Sequence, residues 1–137
     1  MSNAQVMARP AGINSHRGID NQRDAIGRGL YTRWISELWS GRRVAAELVA
    51  PDFLGHWPTR EIHGPDQLQS MVDQTRGKLR ELQFVVEVGP IFGGDIIAAR
   101  WIATGAGGDG PARFTGNDML RISDGKIVEY WAGTARS

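Results

Sequence analysis

The apolar residues of this chain change their spacing once, near Arg80, and this change constrains the fold more than any other feature. Before Arg80 they recur every three or four residues, which is typical of amphipathic helices. After it they alternate with polar residues, which is typical of strands that bury one face. Helices followed by a run of antiparallel strands predict an α+β fold, in which the helices pack on one face of a curved sheet.

The first half of the chain predicts three helices. The first spans about residues 20–40 and ends near Gly41, and its wide apolar stripe comprises Ile26, Leu30, Tyr31, Trp34, Ile35, Leu38 and Trp39. A short second helix is expected at about residues 42–49, and Pro51 stops it because the residue before a proline avoids the helical region. A third begins at Gly64, since Pro65 suits the first helical position and Asp66 suits the first turn. Its inner face would carry Leu68, Met71, Val72, Thr75 and Leu79.

The second half predicts four strands, at about residues 82–88, 96–104, 112–122 and 126–135, after a short extended segment at 53–57. Gly93-Gly94-Asp95 and Asp124-Gly125 are turn signals, and the glycine-rich segment 105–111 is expected to be a loop. Residues 1–18 show little periodicity and are expected to form a flexible arm, which leaves one domain at residues 19–137. Three helices on a curved sheet make a cone, and its mouth is a natural pocket.

Composition narrows the possible partners. The 137 residues fit one domain, and the absence of cysteine excludes disulfides, thiolate metal sites and a cysteine nucleophile. A formal net charge of +1 gives no electrostatic basis for nucleic-acid binding, and no apolar run approaches the roughly 20 residues that cross a membrane. We therefore expect a cytoplasmic protein without a nucleic-acid or membrane partner. The spacing of His16, His56 and His63 does not resemble a metal site, and no cofactor or metal is expected.

Asp118 is the residue that breaks the strand pattern. It lies in a row with Phe114, Gly116, Leu120 and Ile122, which is the apolar and hence inward face of its strand. A buried carboxylate must form an ion pair, accept hydrogen bonds, be hydrated by water in a cavity, or be protonated. Burial raises the pKa of such a group, which suits a general acid or base. A structural partner for an arginine or for backbone N–H groups is the alternative, and Gly116 would leave space beside the carboxylate.

Other residues are candidates for the same pocket. His56 lies between apolar neighbours near a strand end and could be a second acid/base group or a half-buried, hydrogen-bonded histidine. Arg100 interrupts an apolar strand, and an outward position beside an acid on a neighbouring strand is favoured. Tryptophan combines a large apolar area with one donor, so several tryptophans could line the pocket or fill the core. The candidate binding residues are Trp34, Trp57, Met71, Trp101, Phe114 and Trp131.

The C-terminal segments Gly116-Asn117-Asp118-Met119-Leu120-Arg121-Ile122 and Asp124-Gly125-Lys126-Ile127-Val128-Glu129-Tyr130-Trp131 resemble the last hairpin of SnoaL-like polyketide cyclases, in the nuclear transport factor 2-like superfamily. The resemblance covers roughly residues 27–134. It implies a cone-shaped α+β barrel and a homodimer formed through the sheet. It also implies that Asp118 matches an acid/base aspartate that serves an aldol ring closure without cofactor or metal, and that His56 matches a family histidine of unassigned role.

Three hypotheses follow. In the first, Asp118 transfers a proton on a small hydrophobic carbonyl compound, with His56 polarising the carbonyl or positioning water. The first is the leading hypothesis. In the second, the chain is a non-catalytic ligand-binding or dimerisation module, and one feature supports it: Gly105-Ala106-Gly107 stands where cyclases tend to carry a Gly-Thr-His stretch. The third is epoxide hydrolysis by an activated water, as in the limonene epoxide hydrolases. It requires Arg100 to point inward at Asp118, and it is weakened because Ile102 stands where a second acid is expected.

Overall fold

The computed structural model describes the backbone of residues 11–136 and the side chains of residues 21–136. Helix α1 (Ala11–Arg33) continues into a π-helical turn (Trp34–Leu38), and helices α2 (Ala45–Leu48) and α3 (Gly64–Lys78) follow. The six strands are β1 (Val49–Trp57), β2 (Arg60–His63), β3 (Arg80–Gly93), β4 (Ile96–Gly107), β5 (Gly110–Ser123) and β6 (Lys126–Arg136).

The strands form one sheet in the order β2-β1-β6-β5-β4-β3. All neighbours are antiparallel except β1 and β6, which run parallel and pair His56 with Trp131. The sheet curves around the helices, so the α+β cone expected from the sequence is confirmed. Because β1 pairs with the last strand, β6, the sheet contains strands from both halves of the chain.

The core lies between the helices and the concave face of the sheet, which we call the inner face. Its fully buried side chains come from every helical segment and from four of the strands, and include Tyr31, Trp34, Leu38, Leu48, Phe53, Leu68, Val72, Ile97, Leu120 and Ile127. Burying one such side chain contributes roughly 1.5–3 kcal/mol relative to leaving it in water. This packing fixes the inner face of β4, β5 and β6 against the π-helical turn.

The first helix differs from its sequence-based prediction at its start. It begins at Ala11 rather than near residue 20, so it includes residues 11–18 of the predicted arm, and residues 1–10 of that arm lie outside the described residues. The sequence pattern predicts that Ile26 lies on the apolar stripe of this helix, but its side chain is 49% exposed. The reason is close packing at Gly27, where an added Cβ would lie 2.9 Å from the Phe92 ring, so Gly27 and not Ile26 faces the sheet. The predicted stop at Gly41 is confirmed by its left-handed φ of 100°.

Three other boundaries also differ from prediction. Helix α2 is confined to four residues, and strand β2 was not predicted, because four residues after a proline give too short a pattern to recognise. The segment 105–111 is no loop: β4 and β5 continue to Gly107 and Gly110 around a two-residue turn. Two positions of this hairpin favour glycine: Gly110 has a positive φ of 102°, and a Cβ on Gly105 would lie 3.1 Å from the Arg80 carbonyl oxygen. Within the described residues, no helix combines the length and apolarity needed to cross a membrane.

Candidate functional site

A cavity of about 230 Å³ opens between the π-helical turn, helix α3 and the inner face of the sheet. It is larger than an engineered apolar cavity of about 150 Å³ that holds benzene. Its wall is almost entirely apolar and aromatic, and comprises Trp34, Ile35, Trp39, Trp57, Met71, Thr75, Leu79, Leu82, Phe84, Trp101, Ala103, Phe114, Asp118, Tyr130 and Thr134. Asp118 is the one charged residue among these fifteen.

The carboxylate of Asp118 is 2% exposed and accepts three hydrogen bonds. Its Oδ1 accepts from the Trp101 indole Nε1–H at 2.9 Å and from the Tyr130 hydroxyl at 2.6 Å. Its Oδ2 accepts from the Tyr31 hydroxyl at 2.9 Å. All three donors are neutral, and no ion pair within residues 21–136 involves this carboxylate. The carboxyl group of Asp118 is therefore buried among neutral donors.

Two glycines make room for the tryptophans of the cavity wall. A Cβ on Gly116 would lie 2.1 Å from the Trp101 ring, and a Cβ on Gly55 would lie 2.4 Å from the Trp57 ring. Gly116 is thus the neighbour that lets the Trp101 indole lie flat along β5 and reach the carboxylate. The space expected beside Asp118 is present, but Trp101 occupies it.

Burial is the main influence on the electrostatics of this cluster. It raises the pKa of Asp118 above the ordinary aspartate value, and the hydrogen bonds from Tyr130, Trp101 and Tyr31 offset part of that rise. Burial and the neighbouring carboxylate raise the pKa of Tyr31 and of Tyr130. Both tyrosines therefore stay protonated at neutral pH and act as donors rather than as bases.

A raised pKa predicts how Asp118 affects stability as the pH changes. The folded state binds the proton more tightly than the unfolded state, so the contribution is fully present below the ordinary aspartate pKa of about 3.9 and is lost as pH rises through the raised value. The quantity to compare is the difference in the free energy of unfolding, wild type minus Asp118→Asn. Between the ordinary and the raised pKa of Asp118, we expect this difference to fall by at most about 1.4 kcal/mol per pH unit. Urea denaturation of both proteins between acid and neutral pH measures this difference. A difference that rises with pH would show a lowered pKa instead.

His56 lies on the opposite, convex face of the sheet, which we call the outer face. Its Nε2 is 2.7 Å from Glu129 Oε2, and its ring stacks on Trp131 with 5.7 Å between centroids. Trp131 also lies under the Arg121 guanidinium. Neither residue lines the cavity, in contrast to the expectation that both would join Asp118 there. The reason is strand alternation: Phe53, Gly55 and Trp57 face inward on β1, so His56 between them faces outward.

Arg100 also lies on the outer face, as expected from the sequence. Its Nε is 2.8 Å from Glu87 Oε1 on β3, and its guanidinium reaches the Asn117 side chain on β5. The epoxide hydrolysis hypothesis needed this arginine to point inward at Asp118, and the structure contradicts that placement.

Of the predicted site residues, the structure brings Asp118 together with Trp34, Trp57, Met71, Trp101 and Phe114 around the cavity. The functional residues that the sequence reasoning missed are Tyr31 and Tyr130, the two hydroxyl donors to Asp118. A signal for both existed, because a tyrosine on a buried stripe must find a partner for its hydroxyl group. Residues 21–136 contain no cluster of three or more potential metal-ligating side chains.

Comparison with solved structures supports the fold. The proposed SnoaL-like polyketide cyclase of Jannaschia sp. CCS1 superposes with a TM-score of 0.73 at 18% identity, covering 93% of this chain and 90% of that one. The proposed polyketide cyclase IdmH of Streptomyces antibioticus gives 0.63 at 23% identity, with coverages of 82% and 91%. The proposed hydroxylase AclR of Streptomyces galilaeus gives 0.65 at 17% identity, with coverages of 84% and 79%.

At these identities the likeness shows the fold alone, and no curated protein matches the sequence. The model of the SnoaL-like domain family, however, matches residues 31–130, which include fourteen of the fifteen cavity-lining residues and all three donors to Asp118. The chain therefore belongs to the SnoaL-like domain family, within the nuclear transport factor 2-like fold.

Proposed function

We propose that this chain uses Asp118 for proton transfer on a small hydrophobic carbonyl compound that binds in the cavity, without a cofactor or metal. The observation that carries the proposal is a buried carboxylate, without a cationic partner, in the wall of an otherwise uncharged cavity. Perturbed carboxylates in clefts are frequent at functional sites. The relatives described as polyketide cyclases and as a hydroxylase support chemistry on such compounds in this fold.

The proposed step moves one proton. A carboxylate oxygen of Asp118 takes a proton from a C–H beside the carbonyl, and the electron pair of that bond becomes the enolate. In an isomerisation, the protonated Asp118 returns the proton to another carbon of the enolate. In a ring closure, the enolate carbon instead attacks a second carbonyl group of the substrate, and Asp118 returns the proton to the alkoxide that forms there. The charge moves from Asp118 to the substrate oxygen and back, so no redox partner is required.

Tyr130 fits the role of donor to the enolate oxygen. Its hydroxyl group is 2.6 Å from Asp118 Oδ1, and Tyr130 also lines the cavity. When Asp118 takes up the substrate proton, its carboxyl group loses its negative charge and accepts more weakly. The Tyr130 hydroxyl is then released to stabilise the developing oxyanion. Tyr130 takes the place that the sequence-based hypothesis gave to His56.

Deuterium uptake tests the proposal directly. The full chain in deuterated buffer would be incubated with small aryl ketones and β-keto esters, and loss of the α-proton signal would be followed by NMR. Proton transfer by Asp118 predicts exchange that is proportional to protein concentration. A panel without any protein-dependent exchange, although its members bind, contradicts the proposal.

The second candidate is a non-catalytic binding module, and one observation favours it. Three donors of the protein itself bond to the Asp118 carboxylate, as expected for a group with a structural role. Such a module binds ligand in the same cavity without exchange, so the deuterium experiment separates the two candidates. The cytoplasmic location and the absence of a cofactor stay predictions from the sequence.

A homodimer through the outer face is a further part of this proposal. The outer face carries Val85, Val88, Ile91 and Met119, which are exposed large apolar side chains. Met119 pairs with Ala98 and Trp131 on the neighbouring strands, so an apolar row crosses the sheet. Isolated exposed apolar residues are ordinary, but a contiguous group on one sheet face is typical of an interface.

Met119→Lys is expected to convert a dimer to a monomer. Residue 119 is 47% exposed, so the variant should fold, while a paired interface would bring two lysines into an apolar contact. Sedimentation velocity over a range of concentrations measures the effect. Ile26→Lys is the control, because Ile26 is 49% exposed on helix α1 and should leave assembly unchanged. A monomeric wild type, or equal effects of the two variants, would contradict the dimer.

A further inference from the structure

The cavity wall carries an uncompensated negative charge. Among the described residues that line it, Asp118 is the one that can carry a charge, and none is an arginine, lysine or histidine. Each of the carboxylate's bonds comes from a neutral hydroxyl or indole group. When Asp118 is ionised, the wall therefore has a net charge of −1, in surroundings that screen it far less than water does. A ligand that enters this cavity meets that charge directly.

The rest of the wall is dominated by aromatic rings, seven of the fifteen lining residues. Several of them pack against one another around the cavity: Trp57 and Tyr130 have centroids 4.8 Å apart, and Phe84 and Trp101 have centroids 5.2 Å apart. Aromatic faces attract cations through the ring quadrupole, tryptophan most strongly. The carboxylate and the aromatic wall thus favour the same kind of ligand.

From this combination we propose that the cavity binds a tertiary or quaternary alkylammonium group, with the positive charge beside Asp118 and the alkyl groups against the aromatic wall. The inference rests on the proposed function only in that both place a ligand in this cavity. Binding of an ammonium compound needs no proton transfer, so either idea can fail without the other.

The bonding of Asp118 decides which cations fit. A primary ammonium group needs acceptors for its three N–H donors. The carboxylate already accepts two bonds at Oδ1 and one at Oδ2, and the remaining wall is apolar. A quaternary ammonium group has no N–H, so it interacts through charge alone and leaves all three bonds to Asp118 intact. Anionic compounds would be repelled by the same carboxylate.

Desolvation favours this pairing more than it favours an ordinary buried ion pair. Forming a buried pair usually requires water to be removed from both ions, which offsets much of their attraction. Here the protein fold has already removed water from Asp118, so ligand binding requires desolvation of the ligand alone. Alkyl groups also spread the ligand's charge over a large apolar surface that the cavity wall can contact.

The test compares choline with its neutral carbon analogue, in which a tert-butyl group replaces the trimethylammonium group. The two probes have nearly the same shape and differ in charge. Isothermal titration of the full chain, supported by NMR of the tryptophan indole N–H signals, measures both affinities. We expect choline to bind about tenfold or more tightly than the neutral analogue. Equal affinities, or tighter binding of the neutral analogue, would overturn the proposal.

Two variants locate the source of the preference. Asp118→Asn should reduce the preference for choline to about twofold or less, since only the aromatic contribution remains. Phe84→Leu removes one ring that makes no bond to Asp118, and should reduce the ratio of the two affinities by at most about twofold, because the carboxylate and the other rings remain. A tenfold preference that persists in Asp118→Asn would show that the carboxylate is not the site, and would overturn the assignment.

The wild type provides an independent measurement if Asp118→Asn does not fold. The titratable groups that face Asp118 are Tyr31 on helix α1 and Tyr130 on β6, and both stay neutral in the relevant range because their pKa values are raised. Acidification therefore protonates Asp118 without another charge change among its direct partners. The affinity for choline should fall below the raised pKa of Asp118, and that for the neutral analogue should stay constant. Parallel pH profiles for the two probes would overturn the proposal.

Discussion

Asp118→Asn is expected to lower the catalysed exchange of α-protons by about 10²–10⁴-fold, the range typical of removing a positioned acid/base group. The amide has the size of the carboxyl group and can keep the site folded. Its oxygen can accept from Trp101 and Tyr130, and its NH₂ group can donate to the Tyr31 hydroxyl oxygen. What the amide lacks is basicity, so the variant should bind ligand but not abstract a proton.

Asp109→Asn is the matched control. It makes the same chemical change at an exposed turn between β4 and β5, and should leave the exchange rate unchanged. NMR of a ketone in deuterated buffer gives the rate, and titration of an unreactive ligand confirms that binding persists in Asp118→Asn. An exchange rate that stays at the wild-type level in Asp118→Asn would exclude Asp118 as the base.

Gly116→Ala should lower the free energy of unfolding by about 3 kcal/mol. The added Cβ would lie 2.1 Å from the Trp101 ring, and neither the strand nor the packed indole can move aside easily. Overpacking of this kind costs about 1–3 kcal/mol, and displacement of the indole also removes a hydrogen bond to a charged group, worth about 1.5–3 kcal/mol. Urea denaturation measures the loss, and the indole N–H signal of Trp101 should shift because its bond to Asp118 is broken.

The same substitution at Gly29 is expected to have the opposite sign. Gly29 lies within helix α1, and an added Cβ would meet no atom within 4 Å. Alanine in a helix interior is favoured over glycine by about 0.5–1 kcal/mol, so Gly29→Ala should stabilise the chain. A Gly116→Ala variant that unfolds with no loss of free energy would contradict the close contact between the Trp101 ring and Gly116.

The inward position of Asp118 could be predicted because strand alternation is a local property. One row of β5 is apolar and includes residue 118, and the observed burial follows that row. The same rule could have placed His56 correctly. It lies between inward Gly55 and Trp57, but glycine carries no side chain to mark the inner face, and the histidine was therefore assigned to the pocket.

The partners of Asp118 could not be predicted, because they depend on contacts between elements distant in sequence. Tyr31 is 87 residues away on α1, and its bond requires the register of helix against sheet. The hydrogen bond from Trp101 to Asp118 requires that residue 116 has no Cβ. This requirement can be recognised only when the register of β4 and β5, which pairs Trp101 with Gly116, is known. A single sequence shows which residues are inward, but not which of them meet.

The distribution of the three donors has a consequence for the order in which the chain folds. Trp101 and Tyr130 lie on β4 and β6, which flank β5 in an antiparallel meander of neighbouring strands, so their bonds to Asp118 form with local pairing. Tyr31 and strand β1 contact residues that are far away in sequence. Such contacts form slowly, because closing the long intervening loop costs conformational entropy. A partly folded chain would thus hold the carboxylate in an open meander with two of its donors. We therefore expect the docking of α1 to enclose the carboxylate after the meander has formed.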